Sequence, residues 1–191
     1  MLLLTVAIAV QAQSYKDTIA AYRKQYAREL MEEKRAPVKA SQIDNLRFFP
    51  ANRNYCLWAT VTETPGSPPF QIPTHSGKLK PYRQYAVLTF RLNGKDCTLH
   101  AYQGVDLVQD AAYADYLFVP FRDHTNYEQT YGGGRYLDLR IKDIKDGRLL
   151  LDFNKCYNPY CAYADGFNCP IPPDENTLQL EIPAGEKSFI H

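Results

Sequence analysis

The sequence predicts a mainly β protein: an antiparallel β-barrel or sandwich with an N-terminal amphipathic helix packed on it. Two observations support this fold class. One apolar stripe of helical spacing near the N-terminus gives way, from Arg47 onward, to short segments that alternate with period two. Turn residues separate those segments at short intervals, as in barrels and sandwiches. The chain of 191 residues suits one domain better than two.

The composition indicates a soluble globular protein, with 45% hydrophobic and 23% charged residues. The 22 basic and 21 acidic residues leave a net charge of +1. Such a balance provides no field of one sign that would attract nucleic acid, so we expect no nucleic-acid partner. Fifteen tyrosines favour β structure and amphipathic surfaces.

The first residues predict export. Leu2 to Val10 form an uncharged apolar run, which is shorter than the roughly 20 residues of a membrane span. The run ends in Val10-Gln11-Ala12, with small residues where a signal peptidase reads. We therefore predict a signal peptide over 1–12, a single mainly-β domain over 13–191, and a periplasmic or secreted protein without stable membrane insertion after cleavage. One element of the signal pattern is missing, because no Lys or Arg precedes the apolar run. The alternative is a buried N-terminal strand or helix.

A helix follows the predicted cleavage point. Ser14 and Asp17 have the spacing of a capping box, with Ser14 as N-cap. Ala36-Pro37 should end the helix. One apolar stripe, which we expect to dock on the sheet, consists of Tyr15, Ile19, Tyr22, Tyr26 and Leu30.

The clearest β element is a hairpin around Asn93-Gly94, a strong two-residue turn signal. The turn sets Leu92 opposite Lys95, and the register then continues to Ala86 opposite Ala101 and Tyr85 opposite Tyr102. One face of the hairpin, predicted to be core, consists of Ala86, Leu88, Phe90, Cys97, Leu99 and Ala101. Further strands are predicted at 55–63, 70–74, 116–121, 135–141, 148–153 and 178–182.

The last third of the chain carries three unusual strings. They are Tyr131-Gly132-Gly133-Gly134-Arg135-Tyr136-Leu137-Asp138, Tyr157-Asn158-Pro159-x-Cys161-Ala162-Tyr163 and Cys169-Pro170-x-Pro172-Pro173-x-x-Asn176. With them the chain resembles a bacterial family of uncharacterised proteins, the domain of unknown function numbered 1684, over nearly the whole mature chain. The resemblance implies one domain and no established activity. That family has a small residue where this chain has Cys156, which makes Cys156 a poor candidate for shared chemistry.

The five cysteines include a close pair, Cys161 and Cys169, with seven residues between them. In an oxidising compartment this pair would form a disulfide, which is our prediction. The alternative is a pair of metal-binding or reactive thiols, although this spacing is not a recognised zinc motif. The odd count leaves at least one thiol free or paired between chains.

The dense polar and aromatic strings of the last third predict a pocket that binds a small molecule or a glycan. The candidate ligand-binding residues are Arg122, Asp123, Tyr131, Arg135, Tyr136, Asp138, Asp152, Asn154, Tyr157, Asn158, Cys161, Tyr163 and Glu186. We predict no cofactor and no metal, because the four histidines do not cluster and no metal-ligand spacing occurs. Gly132-Gly133-Gly134 lacks the helix that follows a phosphate-binding loop, which favours a turn.

Two other function classes stay open. A hydrolase would use Asp138, Asp152 or Glu186, with Arg135 as an anion anchor, and it requires these carboxylates within hydrogen-bond reach in a cleft. A structural or partner-binding envelope protein would instead expose an apolar patch.

Overall fold

The computed structural model describes the backbone of residues 2–191 and the side chains from Gln13 onward. Its first element is a single helix, α1, over Leu2–Glu32. The predicted stripe is confirmed, since Ile19, Tyr26 and Leu30 are buried. The predicted N-cap is wrong: Ser14 lies inside the continuous helix, where its carbonyl accepts a hydrogen bond from the Thr18 hydroxyl at 2.9 Å. The apolar run before Ser14 is itself helical, so no cap is needed there.

The predicted signal peptide covers the part of α1 whose side chains lie outside the described residues, and it stays a prediction. Within the part of the chain that the structure describes, no helix has the length and apolar character needed to cross a membrane.

Seven strands follow α1 in the described chain. They are β1 Cys56–Glu63, β2 Phe70–Pro73, β3 Leu79–Leu92, β4 Lys95–Gly104, β5 Tyr116–Phe121, β6 Arg135–Arg140 and β7 Arg148–Asp152. They form one antiparallel sheet in the order β6-β5-β4-β3-β1-β7, with β2 paired to the first part of β3. The sheet curls into a half-barrel, and α1 packs on it. The mainly-β prediction is thus confirmed, and the barrel alternative describes it better than the sandwich.

The hairpin of β3 and β4 has the predicted register from Leu92 and Lys95 to Ala86 and Ala101. Beyond that point the prediction is wrong, because Tyr102 pairs with Gln84 rather than with Tyr85. A β-bulge at Tyr85 shifts the register by one residue. Bulges of this kind bend a strand, which suits a sheet that curls.

The predicted strand at 178–182 is also wrong. Leu178, Leu180 and Ile182 are buried in alternation, as the period-two pattern suggested. The segment does not pair with another strand, however. It makes separate backbone hydrogen bonds with Arg122 and His124. The segment therefore fills the core as an extended loop. It belongs to the main hydrophobic cluster, which also contains Phe121, Leu149, Leu151 and Phe153.

Candidate functional site

The main candidate site is a cleft between the two unpaired edges of the curled sheet. Strands β6 and β7 stand at opposite ends of the strand order, yet both line this cleft, and α1 lies over it. We call it the seam cleft. Its outer chamber has a volume of about 580 Å³ and is lined by Tyr22, Glu29, Trp58, Leu137, Asp138, Leu139, Asp143, Lys145, Leu149, Leu150, Asp152 and Lys155.

An inner chamber of about 150 Å³ continues the seam cleft beneath α1. Tyr22, Glu29 and Asp138 line both chambers, so the two form one space. The inner chamber is lined by Tyr22, Tyr26, Glu29, Leu30, Glu33, Asp138, Tyr157 and Tyr160.

Asp138 stands at the junction of the two chambers. Its Oδ1 accepts hydrogen bonds from the hydroxyls of Tyr116 at 2.6 Å and Tyr157 at 2.8 Å, and its Oδ2 accepts from Tyr157 at 2.9 Å. Asp138 is exposed, and its exposed surface faces the cleft. The surrounding protein displaces water and raises the pKa of Asp138 above its ordinary value, although both tyrosine hydrogen bonds act to lower it. Asp138 is thus a pre-positioned acceptor.

The backbone of β6 also faces the seam. Tyr136 exchanges hydrogen bonds with Tyr157, its N–H donating at 2.9 Å and its carbonyl accepting at 3.1 Å. Because backbone groups in a strand alternate in direction, the N–H and carbonyl of Asp138 point the same way, into the cleft. The edge therefore offers a ligand one further donor and one further acceptor.

Asp152, at the end of β7, lines the outer chamber but is held by a separate set of groups. Its Oδ1 accepts from the Tyr15 hydroxyl on α1 at 2.8 Å and from the backbone N–H of Asn154 at 3.1 Å. The Asn154 side-chain amide donates to the same oxygen and to the Asn52 carbonyl, at 3.0 and 2.8 Å. These bonds hold α1 and the loop before β1 against β7, so Asp152 has a structural role.

Glu186 is fully buried behind the wall of the inner chamber. Its Oε1 accepts from the Tyr163 hydroxyl at 2.8 Å, and its Oε2 accepts from the backbone N–H of Asn158 at 2.9 Å and from the Tyr26 hydroxyl at 3.3 Å. Burial raises its pKa to about 7, and those donors oppose the rise. Tyr26 separates the carboxyl from the chamber that its ring lines.

The three carboxylates considered for hydrolysis therefore do not form one catalytic group. Asp138, Asp152 and Glu186 each have their own hydrogen-bond partners, and no hydrogen bond joins any two of them among the described residues. Of the three, Asp138 and Asp152 share the outer chamber, whereas Glu186 is buried elsewhere. The described side chains also contain no group of three or more histidine, cysteine, aspartate or glutamate residues placed to hold a metal ion.

Arg135 is a core residue rather than an anion anchor. Its guanidinium is fully buried and forms an ion pair with Asp123 at 2.7 Å. It also donates to the carbonyls of Ile182 at 2.9 Å and Ala184 at 2.5 Å. Arg122, another predicted site residue, instead makes a more exposed pair with Asp174 at 3.3 Å. None of these four side chains lines the seam cleft.

Other predicted site residues hold the loops in place. Tyr136 is buried and donates to the Pro170 carbonyl, and the Asn158 amide donates to the Lys187 carbonyl at 2.8 Å. Tyr131 lies elsewhere on the surface, where its hydroxyl is 2.9 Å from His75 Nε2. Of the predicted set, Asp138, Asp152 and Tyr157 meet at the seam cleft.

The predicted disulfide is not formed in the structure, where Cys161 and Cys169 are both free thiols. The two residues are nonetheless adjacent, because the Cys169 sulfur accepts the backbone N–H of Cys161 at 3.1 Å. The Cys161 thiol donates to the Phe167 carbonyl at 3.2 Å instead of bonding to Cys169. Burial raises the pKa of Cys169 to about 12, which keeps that thiol protonated.

The sequence interpretation missed the part of the site that comes from α1, from β1 and β5, and from Tyr160 in the loop after β7. These residues are Tyr22, Glu29, Trp58, Tyr116 and Tyr160. One signal was present: the helix stripe carries tyrosine at positions where leucine or isoleucine would fill a core. A tyrosine hydroxyl facing a protein interior needs a polar partner, and such partners indicate a polar site beneath the helix.

Comparisons with known proteins agree with this architecture and assign no activity. A family model described as a protein of unknown function, DUF1684, matches residues 41–187. The solution NMR structure of an uncharacterized protein of Haloarcula marismortui is similar, with 34% identity and a TM-score of 0.71, covering 93% of this chain and 96% of the other. No curated protein matches the chain. On the extent of the family match, this chain belongs to the DUF1684 family.

Proposed function

We propose that this protein binds a small molecule or a glycan fragment in the seam cleft. The observation that carries the proposal is Asp138, whose carboxylate is held by Tyr116 and Tyr157 at the point where the two chambers join. Binding sites characteristically combine a concave, partly apolar wall with a few oriented polar groups. A carboxylate whose pKa is raised within a cleft is a further mark of such sites.

The wall of the outer chamber supports binding of an organic ligand. Trp58 and Leu150 are 47% and 40% exposed at its rim, although large apolar side chains usually avoid solvent. Leu139 and Leu149 continue this apolar surface into the cleft, and Lys145 and Lys155 supply donors. A ligand with both apolar and polar groups would find partners for each.

A thermal-shift screen against a metabolite and glycan library tests this proposal. We expect at least one compound to raise the melting temperature of the wild-type protein. The same compound should raise the melting temperature of Asp138→Asn by less. Asparagine keeps the shape and can still accept from the two tyrosines, so the fold should be retained. Asp146→Asn is the matched control, because Asp146 is exposed in a turn outside the cleft. Compounds that shift all three proteins equally, or no shift at all, would refute the proposal.

Export is a separate proposal, with cleavage between Ala12 and Gln13. The described side-chain contacts between α1 and the sheet begin at Tyr15, whose hydroxyl donates to Asp152. Removal of 1–12 would therefore leave those contacts in place. Mass spectrometry of the protein produced in a bacterial host should find an N-terminus at Gln13 in the extracytoplasmic fraction. An intact N-terminus in the cytoplasmic fraction would contradict export.

A further inference from the structure

The inner chamber has the chemistry of a site for a positively charged organic group. Four of its eight lining residues are tyrosines and three are carboxylates, and no lysine, arginine or histidine lines it. The aromatic rings and the acids come from α1 and the residue that follows it, from β6 and from the loop after β7. The arrangement therefore depends on the tertiary fold rather than on one acidic segment.

The hydroxyls of three of these tyrosines are already engaged in hydrogen bonds within the protein, which leaves their rings to line the chamber. Tyr26 donates to Glu186, Tyr157 to Asp138, and Tyr22 to the Lys155 carbonyl at 3.2 Å. The Tyr22 and Tyr26 rings are stacked at 6.5 Å, and the Tyr26 and Tyr157 rings lie 5.7 Å apart at 50°. Ring faces in such a cage attract cations through their negative quadrupole.

The charged groups of the chamber are hydrogen-bond acceptors without an ionic partner. Glu29 accepts from the Gln25 amide at 2.8 Å, and Glu33 accepts from the Tyr160 hydroxyl at 3.4 Å. Asp138 accepts from two tyrosines. None of these three carboxylates takes part in a salt bridge within the described residues. These acceptors favour a ligand that brings donors or positive charge.

The chain already places one of its own cations against this cage. The ammonium of Lys155 lies 5.4 Å from the centroid of the Tyr22 ring. Lys155 lines the outer chamber and not the inner one. The Tyr22 ring thus already accepts a cation contact from the outer side, and among the described residues no protein cation lines the inner chamber.

We propose that the inner chamber binds the ammonium head of an organic amine, between the Tyr22 and Tyr157 rings and next to Asp138. The rest of the ligand then lies along the outer chamber. A volume of about 150 Å³ accommodates a group of about the size of benzene, which suits a methylated ammonium head. This inference rests on the proposed binding function and specifies its ligand class.

Calorimetric titration with choline, compared with its uncharged carbon isostere dimethylbutanol, tests the charge requirement. We expect choline to bind with a Kd on the order of millimolar or tighter, and dimethylbutanol to bind at least about tenfold more weakly. Asp138→Asn should weaken choline binding, whereas Asp146→Asn should leave it unchanged.

Tyr22 supplies a second pair of variants that separates the ring from the hydroxyl. Tyr22→Phe retains the aromatic face and should bind choline within about twofold of wild type, while Tyr22→Leu should lose roughly three- to thirtyfold. Equal binding of choline and dimethylbutanol, or no binding of choline, would overturn the cation assignment. If a screened neutral or anionic compound still binds in an Asp138-dependent way, the binding function survives with a different ligand class. If nothing binds, both proposals fail.

Discussion

The hydroxyl of Tyr26 on α1 donates a hydrogen bond at 3.3 Å to Oε2 of Glu186, 160 residues further along the chain. The Tyr163 hydroxyl lies 2.7 Å from that of Tyr26 and contacts the same carboxyl, so two tyrosines and one acid form a buried polar centre. The ring of Tyr26 lines the inner chamber. This centre therefore sets the position of α1 above the seam cleft.

Glu186 makes stability depend on pH. Its pKa is raised from 4.5 to about 7 in the folded protein, so between these values the folded state keeps a proton that the unfolded chain has released. Stability from this group is fully present at low pH and falls as pH rises toward 7, by a few kcal/mol at most. Urea denaturation between pH 4.5 and 7.5 should show a flatter pH profile for Glu186→Gln than for wild type. Glu181→Gln, at an exposed position, should keep the wild-type slope; equal slopes for all three would contradict this account.

The Arg135 and Asp123 pair should be costly to break. Arg135→Gln leaves the Asp123 carboxylate buried without its cation, which typically costs about 3–5 kcal/mol. Arg122→Gln removes the same type of side chain from the exposed pair with Asp174, where about 1 kcal/mol or less is expected. Urea denaturation measures both free energies of unfolding. A similar loss for the two variants would show that burial does not set the energetics of this pair.

The hydrogen bond from Tyr157 should control the ionisation of Asp138. That bond favours the charged carboxylate and lowers its pKa, against the displacement of water by the surrounding protein, which raises it. Tyr157→Phe removes the hydroxyl and keeps the ring beside Tyr26 and Tyr136, so the pKa of Asp138 should rise further. An NMR titration of the Asp138 carboxyl carbon measures this directly. Tyr113→Phe, at an exposed tyrosine, is the control, and an unchanged or lowered pKa in Tyr157→Phe would contradict the assignment.

Gly185 is required where the chain turns into Glu186. Its φ is 75°, and a Cβ there would lie 2.6 Å from the Phe153 carbonyl oxygen and would also clash with the Cys156 sulfur. Gly94, with φ of 78°, has open space around it. Gly94→Ala should cost about 1–2 kcal/mol for backbone conformation alone, and Gly185→Ala should cost clearly more. Thermal denaturation of the two variants compares them, and equal costs would mean that the crowding at Gly185 is relieved by small shifts.

Local sequence signals predicted most of the secondary structure. The Asn93-Gly94 turn set the register of β3 and β4, and the tyrosine stripe identified the buried face of α1. The bulge at Tyr85 was not predicted because alternation continues through it without a glycine or proline as a marker. The segment at 178–182 has the burial pattern of a strand, but a pattern of one segment does not reveal whether a partner strand exists.

The site was predicted less completely because it is a product of long-range packing. Asp138 and Asp152 lie on β6 and β7, and the turn between those strands does not determine how the two edges of a curled sheet approach each other. The contribution of Tyr22 and Glu29 depends on where α1 docks. Arg135 was predicted to be an anion anchor, and charged side chains are indeed rarely fully buried. Here Asp123 and three carbonyls accept from its two terminal amino groups, while its Nε is buried without a partner among the described residues.

Ligand mapping by NMR tests the central claim, that the seam cleft is the binding site, most directly. Mixtures of small amines, sugars and carboxylates are titrated into isotope-labelled wild-type protein and Asp138→Asn, and the perturbed amides are placed on the structure. We predict that the perturbed amides converge on Tyr22, Asp138, Leu150 and Tyr157, and that the variant loses these perturbations. Perturbations that converge on another surface, such as the groove beside Phe49 and Pro50, would contradict the account.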